Sequence, residues 1–303
     1  MVNMTHHWGY VSAITSAVLF GISSTLNKIA LENVHPNIVA GMIYFIGGVI
    51  LFGIRISPLS NKILSLFDTS ETEVTISNKD LVTLAFVILC GSIIAPLLLL
   101  SGLNETTAIN ASLLLNTESL FTVLIAIAFL KERAVKREYL GFLMLFFGAV
   151  FITTNAEFQR ITLTENLTGN LLIVGASLFW GMDNNLSRLL SKKRDILMVT
   201  GLKCFFGGLV LLIVSFLIGI SLNIPLVSIP YLLSVGAFSI AFSLLFFLFA
   251  LRKIGSMRTG IIFSTSSLFG AFLAFVILRE TFTIIQLIAG VIMLSGVYIL
   301  YRK

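Results

Sequence analysis

Charged residues are scarce in this chain: of its 303 residues, 11% are Asp, Glu, Lys or Arg and 57% are hydrophobic. The mean hydropathy of +1.03 lies well outside the range of soluble globular domains. No polar stretch is long enough to form a separate soluble domain. The composition therefore predicts a polytopic membrane protein. The net charge of +6 does not indicate a nucleic-acid partner, because the basic residues flank apolar segments, where they act as topology signals.

Cysteine and histidine are also rare. Cys90 and Cys204 both fall inside apolar segments, which favours buried, inert thiols over a disulfide or a metal site. The three histidines, His6, His7 and His35, stand at helix ends and form no His-Glu-x-x-His zinc motif. The sequence contains no Gly-x-x-x-x-Gly-Lys-Ser/Thr loop for nucleotide binding. We therefore expect no metal, no cofactor and no enzymatic activity.

Long apolar segments account for most of the chain. A spanning helix needs about 20 mostly apolar residues, and ten segments meet that condition. They are 8–31, 36–56, 81–102, 106–130, 136–155, 168–190, 195–219, 228–251, 257–278 and 283–301. The only long connection, 57–80, is interpreted as a flexible insertion, with a front part, 62–67, that lies on the membrane surface as the alternative.

The ten segments form two copies of one pattern, predicted as two five-helix repeats at 8–155 and 168–301. An offset of 160 places Gly9, Phe20-Gly21, Leu26, Lys28, Gly41, Gly47-Gly48 and Leu51 on Gly169, Trp180-Gly181, Leu186, Arg188, Gly201, Gly207-Gly208 and Leu211. An offset of 148 places Leu103, Thr117, Ser119 to Phe121, Ala126, Leu130 to Glu132 and Gly148 on Leu251, Thr265, Ser267 to Phe269, Ala274, Leu278 to Glu280 and Gly296. Because each copy has an odd number of spans, the copies must face opposite ways in the bilayer. Inverted repeats are the usual plan of secondary transporters.

Lys and Arg give the orientation. If the termini and the even-numbered loops share one side, that side carries sixteen of the twenty basic residues. The opposite side carries Lys28, Arg160 and Arg279, and Lys203 lies inside a span. The positive-inside rule then predicts a cell-membrane protein with both termini in the cytoplasm.

The ends of the fourth and ninth spans carry a family resemblance. Leu130-Lys131-Glu132 and Leu278-Arg279-Glu280 close these spans at equivalent places in the two copies. With ten helices in two repeats, the chain resembles the EamA-like family of the drug/metabolite transporter superfamily over its whole length. The resemblance implies a transporter, often an exporter, of amino acids or other small metabolites, with a central cavity between the halves.

The chain departs from that family's pattern at two positions. A proline is common where Glu118 and Ser266 stand, within the segments 116–121 and 264–269. This departure bears on the substrate and leaves the fold prediction intact.

Three charged residues lie deep inside the predicted spans, where ionisable groups are costly and are therefore functional candidates. Glu118 falls near the midplane, either as a group that titrates during transport or as a neutral, hydrogen-bonded carboxylic acid. Asp183 and Lys203 fall at one depth on consecutive antiparallel helices, which predicts an ion pair that is either structural or a gate.

Polar and aromatic side chains complete the predicted substrate site, although each could equally serve packing. They are Asn116, Asn27, Asn184, Trp180, Ser266 and Tyr44. Lys28 and Arg188 stand near helix ends and are predicted to reach the interface rather than the substrate. Glu132 and Glu280 are interpreted as interfacial anchors or gate partners.

Small residues predict close helix contacts on the fifth and tenth spans. Gly141 with Gly148, and Ala289 with Gly296, are two helical turns apart. We expect these helices in a scaffold or at a homodimer contact rather than around the cavity. Pro96 in the third span, with Leu244 as its counterpart, predicts a kink in one half only.

Together these features predict a secondary transporter that works by alternating access around a midplane cavity. Its expected partners are a small-molecule substrate and the lipid bilayer. The closest alternative is a lipid flippase of the same fold, with a lateral opening in place of an aqueous cavity.

Overall fold

The computed structural model describes residues 2–66, 78–130, 136–154, 166–191 and 195–301. Most of the residues in these ranges are helical, and none of them forms a β-strand. The α-helices are α1 (Val2–Leu31), α2 (Pro36–Ile56), α3 (Leu59–Leu66), α4 (Asn78–Val87), α5 (Ala95–Glu105), α6 (Ala108–Leu114), α7 (Thr117–Leu130), α8 (Lys136–Thr154), α9 (Leu167–Ser191), α10 (Ile196–Leu217), α11 (Ile229–Ser234), α12 (Ser243–Ser264), α13 (Ser266–Ile277) and α14 (Ile284–Tyr301). Residues 62–66 form part of α3, and the position of this segment on the membrane surface remains a prediction.

Eight helical stretches in the described ranges are long and apolar enough to cross a membrane, so the chain is a multi-pass membrane protein. They are His7–Leu31, Pro36–Ile56, Asp80–Glu105, Ala108–Phe129, Lys136–Thr154, Leu197–Leu217, Leu226–Ala250 and Thr259–Ile277. The predicted sixth span coincides with α9, and the predicted tenth with the shorter apolar helix Ile284–Leu300. The count of ten spans remains a prediction.

Helices α2 and α10 cross through reciprocal glycine contacts. A Cβ added to Gly48 would collide with the backbone of Phe205, and one added to Gly208 would collide with the backbone of Phe45. The offset of 160 relates Gly48 to Gly208 and Phe45 to Phe205. The same contact therefore occurs twice, with the roles of the two helices exchanged.

Helices α8 and α14 also cross at glycines, each of which lies close to the carbonyl oxygen of the other. A Cβ on Gly141 would lie 2.9 Å from the carbonyl oxygen of Gly296, and one on Gly296 would lie 3.0 Å from that of Gly141. The small faces predicted on these helices thus pack against each other inside one chain. This packing corresponds to the scaffold alternative, and the homodimer remains a prediction.

A third reciprocal contact joins α5 and α9 and gives a stability prediction. A Cβ on Gly102 would lie 2.6 Å from the oxygen of Gly169, a backbone atom that cannot move aside cheaply. We expect Gly102→Ala to lower the free energy of unfolding by about 1–3 kcal/mol, the usual cost of overpacking. Gly53→Ala is the matched control, because nothing lies within 4 Å of its added Cβ. Thermal unfolding in detergent checks the pair, and equal stabilities of the two variants would contradict the packing argument.

Both third spans contain a π-helical segment. Ile88–Ile94 precedes α5, and Val235–Phe242 precedes α12. The offset of 148 places one segment on the other, although only the first is followed by a proline, Pro96. The π geometry therefore forms in both halves, and the kink predicted at Pro96 in one half only remains a prediction. Such insertions are frequent at functional sites.

The predicted fourth and ninth spans are each interrupted, whereas the sequence predicted two continuous helices. The first break lies between α6 and α7, and the second lies at Thr265 between α12 and α13. At both breaks a threonine hydroxyl bonds to the carbonyl three residues earlier: Thr117 Oγ1 donates to Leu114 O at 2.7 Å, and Thr265 Oγ1 donates to Ile262 O at 2.6 Å. These local bonds compete with the regular helical pattern. The two threonines are related by the offset of 148.

Candidate functional site

A cavity of about 140 Å³ lies where the two helix breaks meet. This volume holds several water molecules and is smaller than the roughly 300–1,000 Å³ of pockets for drug-sized ligands. The structure brings eight of the nine predicted site residues to its wall, namely Tyr44, Asn116, Glu118, Trp180, Asp183, Asn184, Lys203 and Ser266.

Asn27 is the exception and requires a correction. It does not line the cavity; its side chain is only 2% exposed, and its Oδ1 is buried with no hydrogen-bond partner in the described part of the chain. The cavity residue of α1 is Phe20. Asn27 lies on the same helical face but two turns, or ~10 Å, further along the axis. The sequence therefore predicted the correct face of α1 but the wrong position along its axis.

Glu118 opens the helix that follows the first break. Its Oε1 accepts a hydrogen bond of 2.7 Å from Asn184 Nδ2, and Asn184 Nδ2 also lies 3.3 Å from Thr122 Oγ1. Glu118 therefore joins the fourth span to α9 from the other half of the chain. It enters no salt bridge with a described residue.

Asp183 and Lys203 form a salt bridge on the cavity wall. The side chain of Asp183 is 4% exposed and that of Lys203 is 14% exposed, so the pair lies almost entirely inside the protein. Ser187 Oγ donates a 2.8 Å bond to the other carboxylate oxygen of Asp183. A Cβ on Gly91 would collide with this carboxylate, so Asp183 packs directly on the first π segment.

Trp180 uses the same π segment. Its indole Nε1 donates a 3.0 Å bond to Gly91 O, and its side chain is buried beside Asp183 on the cavity wall. Trp180 is thus held in place by packing and by the hydrogen bond of its indole N–H, and it also lines the cavity. The two alternatives given for this residue are compatible.

One hydrogen bond connects the two helix breaks. Asn116 Nδ2 donates to Ser267 Oγ at 3.0 Å, and Ser267 Oγ in turn donates to Ser264 O at 2.9 Å. Asn116 and Ser264 are equivalent under the offset of 148. The bond therefore joins the two halves of the chain.

This bond gives a further stability prediction. In a double-mutant cycle of Asn116→Ala and Ser267→Ala, we expect a coupling free energy of about 0.6 kcal/mol, which is the average for polar contacts between membrane helices. Thermal unfolding of the four proteins measures the coupling. Strict additivity of the two substitutions would mean that the breaks are held together by other contacts.

The cavity has an aromatic side that the sequence did not single out. The rings of Phe20 and Phe263 lie 5.1 Å apart, and those of Phe247 and Phe263 lie 4.8 Å apart. All three residues line the cavity, as do Glu118 and the ion pair. With 26 phenylalanines in the chain, nothing in the sequence distinguishes these three. The cavity is consequently amphipathic.

Lys28 and Glu280 lie away from the cavity, at one end of the bundle. Lys28 Nζ donates 2.7 Å bonds to Leu103 O and Thr106 O, at the end of the third span, and its placement at the membrane interface remains a prediction. Glu280 accepts bonds of 2.8 and 2.9 Å from the N–H groups of Ala108 and Ile109. The predicted roles of Glu132 and of the Arg188 side chain lie outside the described residues.

One family model matches the chain twice and shows the family to which it belongs. The model of the EamA-like transporter family matches residues 7–154 and again residues 167–302. The chain belongs to the EamA-like transporter family. This membership confirms the resemblance found in the sequence, and transport is the general function it brings.

This EamA-like transporter has relatives in archaea and bacteria. It is 43% identical over 299 residues to an uncharacterized transporter of Methanothermobacter thermautotrophicus, covering 98% of this chain and 87% of that protein. It is 21% identical over 297 residues to the uncharacterized transporter YetK of Bacillus subtilis, covering 97% and 87%. A crystal structure of a chain 16% identical has a TM-score of 0.66 and covers 99% of this chain and 98% of that one. At this identity the likeness to the crystal structure shows the fold alone.

Proposed function

We propose that the chain is a secondary transporter that exports small amphipathic metabolites, such as amino acids, across the cell membrane. Substrate binds in the cavity at the two helix breaks. A change between two arrangements of the halves then exposes the cavity to one side of the membrane at a time.

The observation that carries this proposal is the meeting of two interrupted helices at one polar cavity. Irregular backbone at membrane depth is tolerated only where it is buried in protein or lines a water-filled space. In secondary transporters, broken helices at repeat-equivalent positions form the substrate site near the midplane. Here the first break, at Leu115 and Asn116, and the second, at Thr265, lie within two residues of equivalent positions, and residues in or beside each break line the cavity.

We propose further that the two halves are inverted five-helix repeats, with ten spans and both termini in the cytoplasm. The reciprocal contacts of Gly48 with Phe205 and of Gly208 with Phe45 support this arrangement, because a two-fold axis in the membrane plane generates such pairs. The excess of Lys and Arg on one side supports the orientation.

The walls of the cavity support the substrate class. The lining includes two carboxylates, Glu118 and Asp183, the ammonium group of Lys203, and a cluster of three phenylalanines. A molecule with a charged or zwitterionic end and a small apolar body complements both the charged groups and the phenylalanines. The volume of about 140 Å³ restricts the body to a small one.

One observation favours the alternative of a lipid flippase. An apolar groove of about 330 Å³ lies between α7 and α8, lined by Leu120, Leu124, Tyr139, Phe142, Leu143 and Phe146. Such a groove fits an acyl chain. A flippase, however, needs a route from the groove to a polar headgroup site, and the lining residues of the groove do not overlap with those of the cavity.

A ligand screen tests the proposed substrate class. Purified protein in detergent is heated with amino acids, nucleosides and cationic drugs, and ligands that bind the folded state raise its unfolding temperature. We expect stabilisation by small amphipathic compounds and its loss when Ser119 on the cavity wall is replaced by Trp. Stabilisation that survives Ser119→Trp would place the ligand elsewhere and overturn the site assignment.

A further inference from the structure

The turn between the third and fourth spans, residues 103–110, is held by polar bonds from several helices. Lys28 of α1 donates to the carbonyls of Leu103 and Thr106. Glu280, which follows α13, accepts from the N–H groups of Ala108 and Ile109.

Two neutral bonds complete this set. Thr106 Oγ1 donates to Asn170 Oδ1 of α9 at 2.7 Å, and Gln286 Nε2 of α14 donates to Asn110 Oδ1 at 2.8 Å. Three of the four residues that hold the turn, Asn170, Glu280 and Gln286, belong to the second half of the chain. At this turn, therefore, side chains of the second half of the chain hydrogen-bond to the first half.

The backbone before Glu280 is itself unusual. Arg279 has a φ of 56° and is the only non-glycine residue in the described ranges with a positive φ. A bulky residue in this region is strained and stays there only when its surroundings hold it. The turn at Arg279 takes the chain out of α13 and presents the Glu280 carboxylate to the 103–110 turn.

The turn lies along the axis from the cavity. Asn116 is eight residues from Ala108, and Phe20 is eight residues from Lys28, so both cavity residues lie ~12 Å from the turn. The helices that meet at the turn also supply cavity walls, through Phe20 of α1, Glu118 beyond the first break, Trp180 of α9 and Ser266 of α13. The bonds at the turn thus hold together, at one end, several of the helices that line the cavity.

We propose that the 103–110 turn with Lys28, Asn170, Glu280 and Gln286 is a latch that closes the cavity toward this end of the bundle and opens during transport. The inference rests on the proposed function, because a latch has a use only where the cavity must reach both faces of the membrane. One of these bonds has no counterpart in the repeat: the equivalents of Thr106 and Asn170 are Ile254 and Tyr10, and Ile254 has no side-chain hydrogen-bonding group.

Sided labelling of one cysteine tests the latch. Cys90→Ala and Cys204→Ala remove both native thiols, which are buried, and Ser119→Cys places a single thiol on the cavity wall. A membrane-impermeant methanethiosulfonate reagent is applied to spheroplasts and to inverted vesicles. When Glu280→Gln is introduced into this single-cysteine protein, we expect labelling from the side of the membrane on which Lys28 lies to become about ten-fold faster. This is the equilibrium effect of losing a hydrogen bond to a charged group.

Glu105→Gln is the matched control, because Glu105 is an exposed carboxylate in the same region, and it should leave the labelling rate unchanged. If Glu280→Gln does not fold, Asn170→Ala replaces it, with a smaller acceleration expected from the loss of one neutral bond. Labelling rates unchanged in a folded latch variant, or changed equally by Glu105→Gln, would overturn the latch. The assay needs no substrate. If the labelling rate rises in Glu280→Gln but the purified protein transports no solute, the result refutes only the proposed function.

Discussion

Replacing Lys203 with Met should lower the free energy of unfolding by about 3–5 kcal/mol, because it leaves the Asp183 carboxylate buried without its partner charge. The two side chains are 14% and 4% exposed, so water can replace little of the lost interaction. Replacing both residues, as Lys203→Met with Asp183→Asn, should recover most of that loss, since no buried charge then remains. Thermal unfolding and the yield of monodisperse protein in detergent measure both effects.

A second ion pair in the same chain provides the control. Arg55 Nε lies 2.8 Å from Asp195 Oδ2, but these side chains are 39% and 21% exposed. Solvent-exposed pairs contribute about 0–1 kcal/mol, so Arg55→Met should change stability far less than Lys203→Met. If the double variant is no more stable than Lys203→Met alone, Asp183 is not stabilised by the lysine, and the pair is not a structural unit.

The structure also decides which double variant is informative. Exchanging the two charges is the test that the sequence alone suggests. Asp183, however, packs so closely on Gly91 that no side-chain atom fits between them. A lysine at position 183 would have to displace the π segment, so failure of the exchanged pair would report a steric clash. Removing both charges avoids this ambiguity.

Replacing Glu118 with Gln should reduce substrate uptake by about ten-fold or more, the effect of losing a charge-assisted contact. Glutamine keeps the size of the side chain and an oxygen that can accept the bond from Asn184, so the fold should persist. If Glu118 also carries a coupling proton, uptake by the variant should lose its pH dependence. Uptake into proteoliposomes across a pH series measures both quantities.

The approximate symmetry supplies a matched control for Glu118. Ser266 is its equivalent under the offset of 148 and lines the same cavity. Ser266→Ala removes a hydroxyl without changing charge and should weaken uptake only slightly. Unchanged uptake and unchanged pH dependence in Glu118→Gln would assign Glu118 to packing and would remove the proton-coupling hypothesis.

The helical fold could be predicted because hydropathy records burial in lipid, and lipid fixes the length of each apolar segment. The pairing of Asp183 with Lys203 could be proposed because antiparallel neighbours place residues at equal distances from their shared end at equal depth. Both arguments need only the order of residues along single helices.

The helix breaks and the π segments could not be predicted in this way. The apolar run continues through Leu115 and through the residues around Ser92, and hydropathy does not register a hydroxyl that bonds three residues back. Thr117 and Thr265 were matched in the repeat alignment, but their role depends on which backbone carbonyls remain unpaired. The position of Asn27 could not be predicted for a related reason. Periodicity indicates which face of α1 is buried, whereas the depth of a residue along the helix depends on where α1 contacts its neighbours.

Transport by purified protein in proteoliposomes tests the central claim most directly. Vesicles are loaded with a ligand found in the thermal screen and with fluorescent phospholipids, and movement of both is followed with the native chain, Glu118→Gln and Ser266→Ala. The account predicts saturable movement of the small solute by the native chain, strong loss in Glu118→Gln, near-native rates in Ser266→Ala, and no protein-dependent movement of lipid. Movement of lipid without movement of any solute would contradict it and would identify the chain as a flippase.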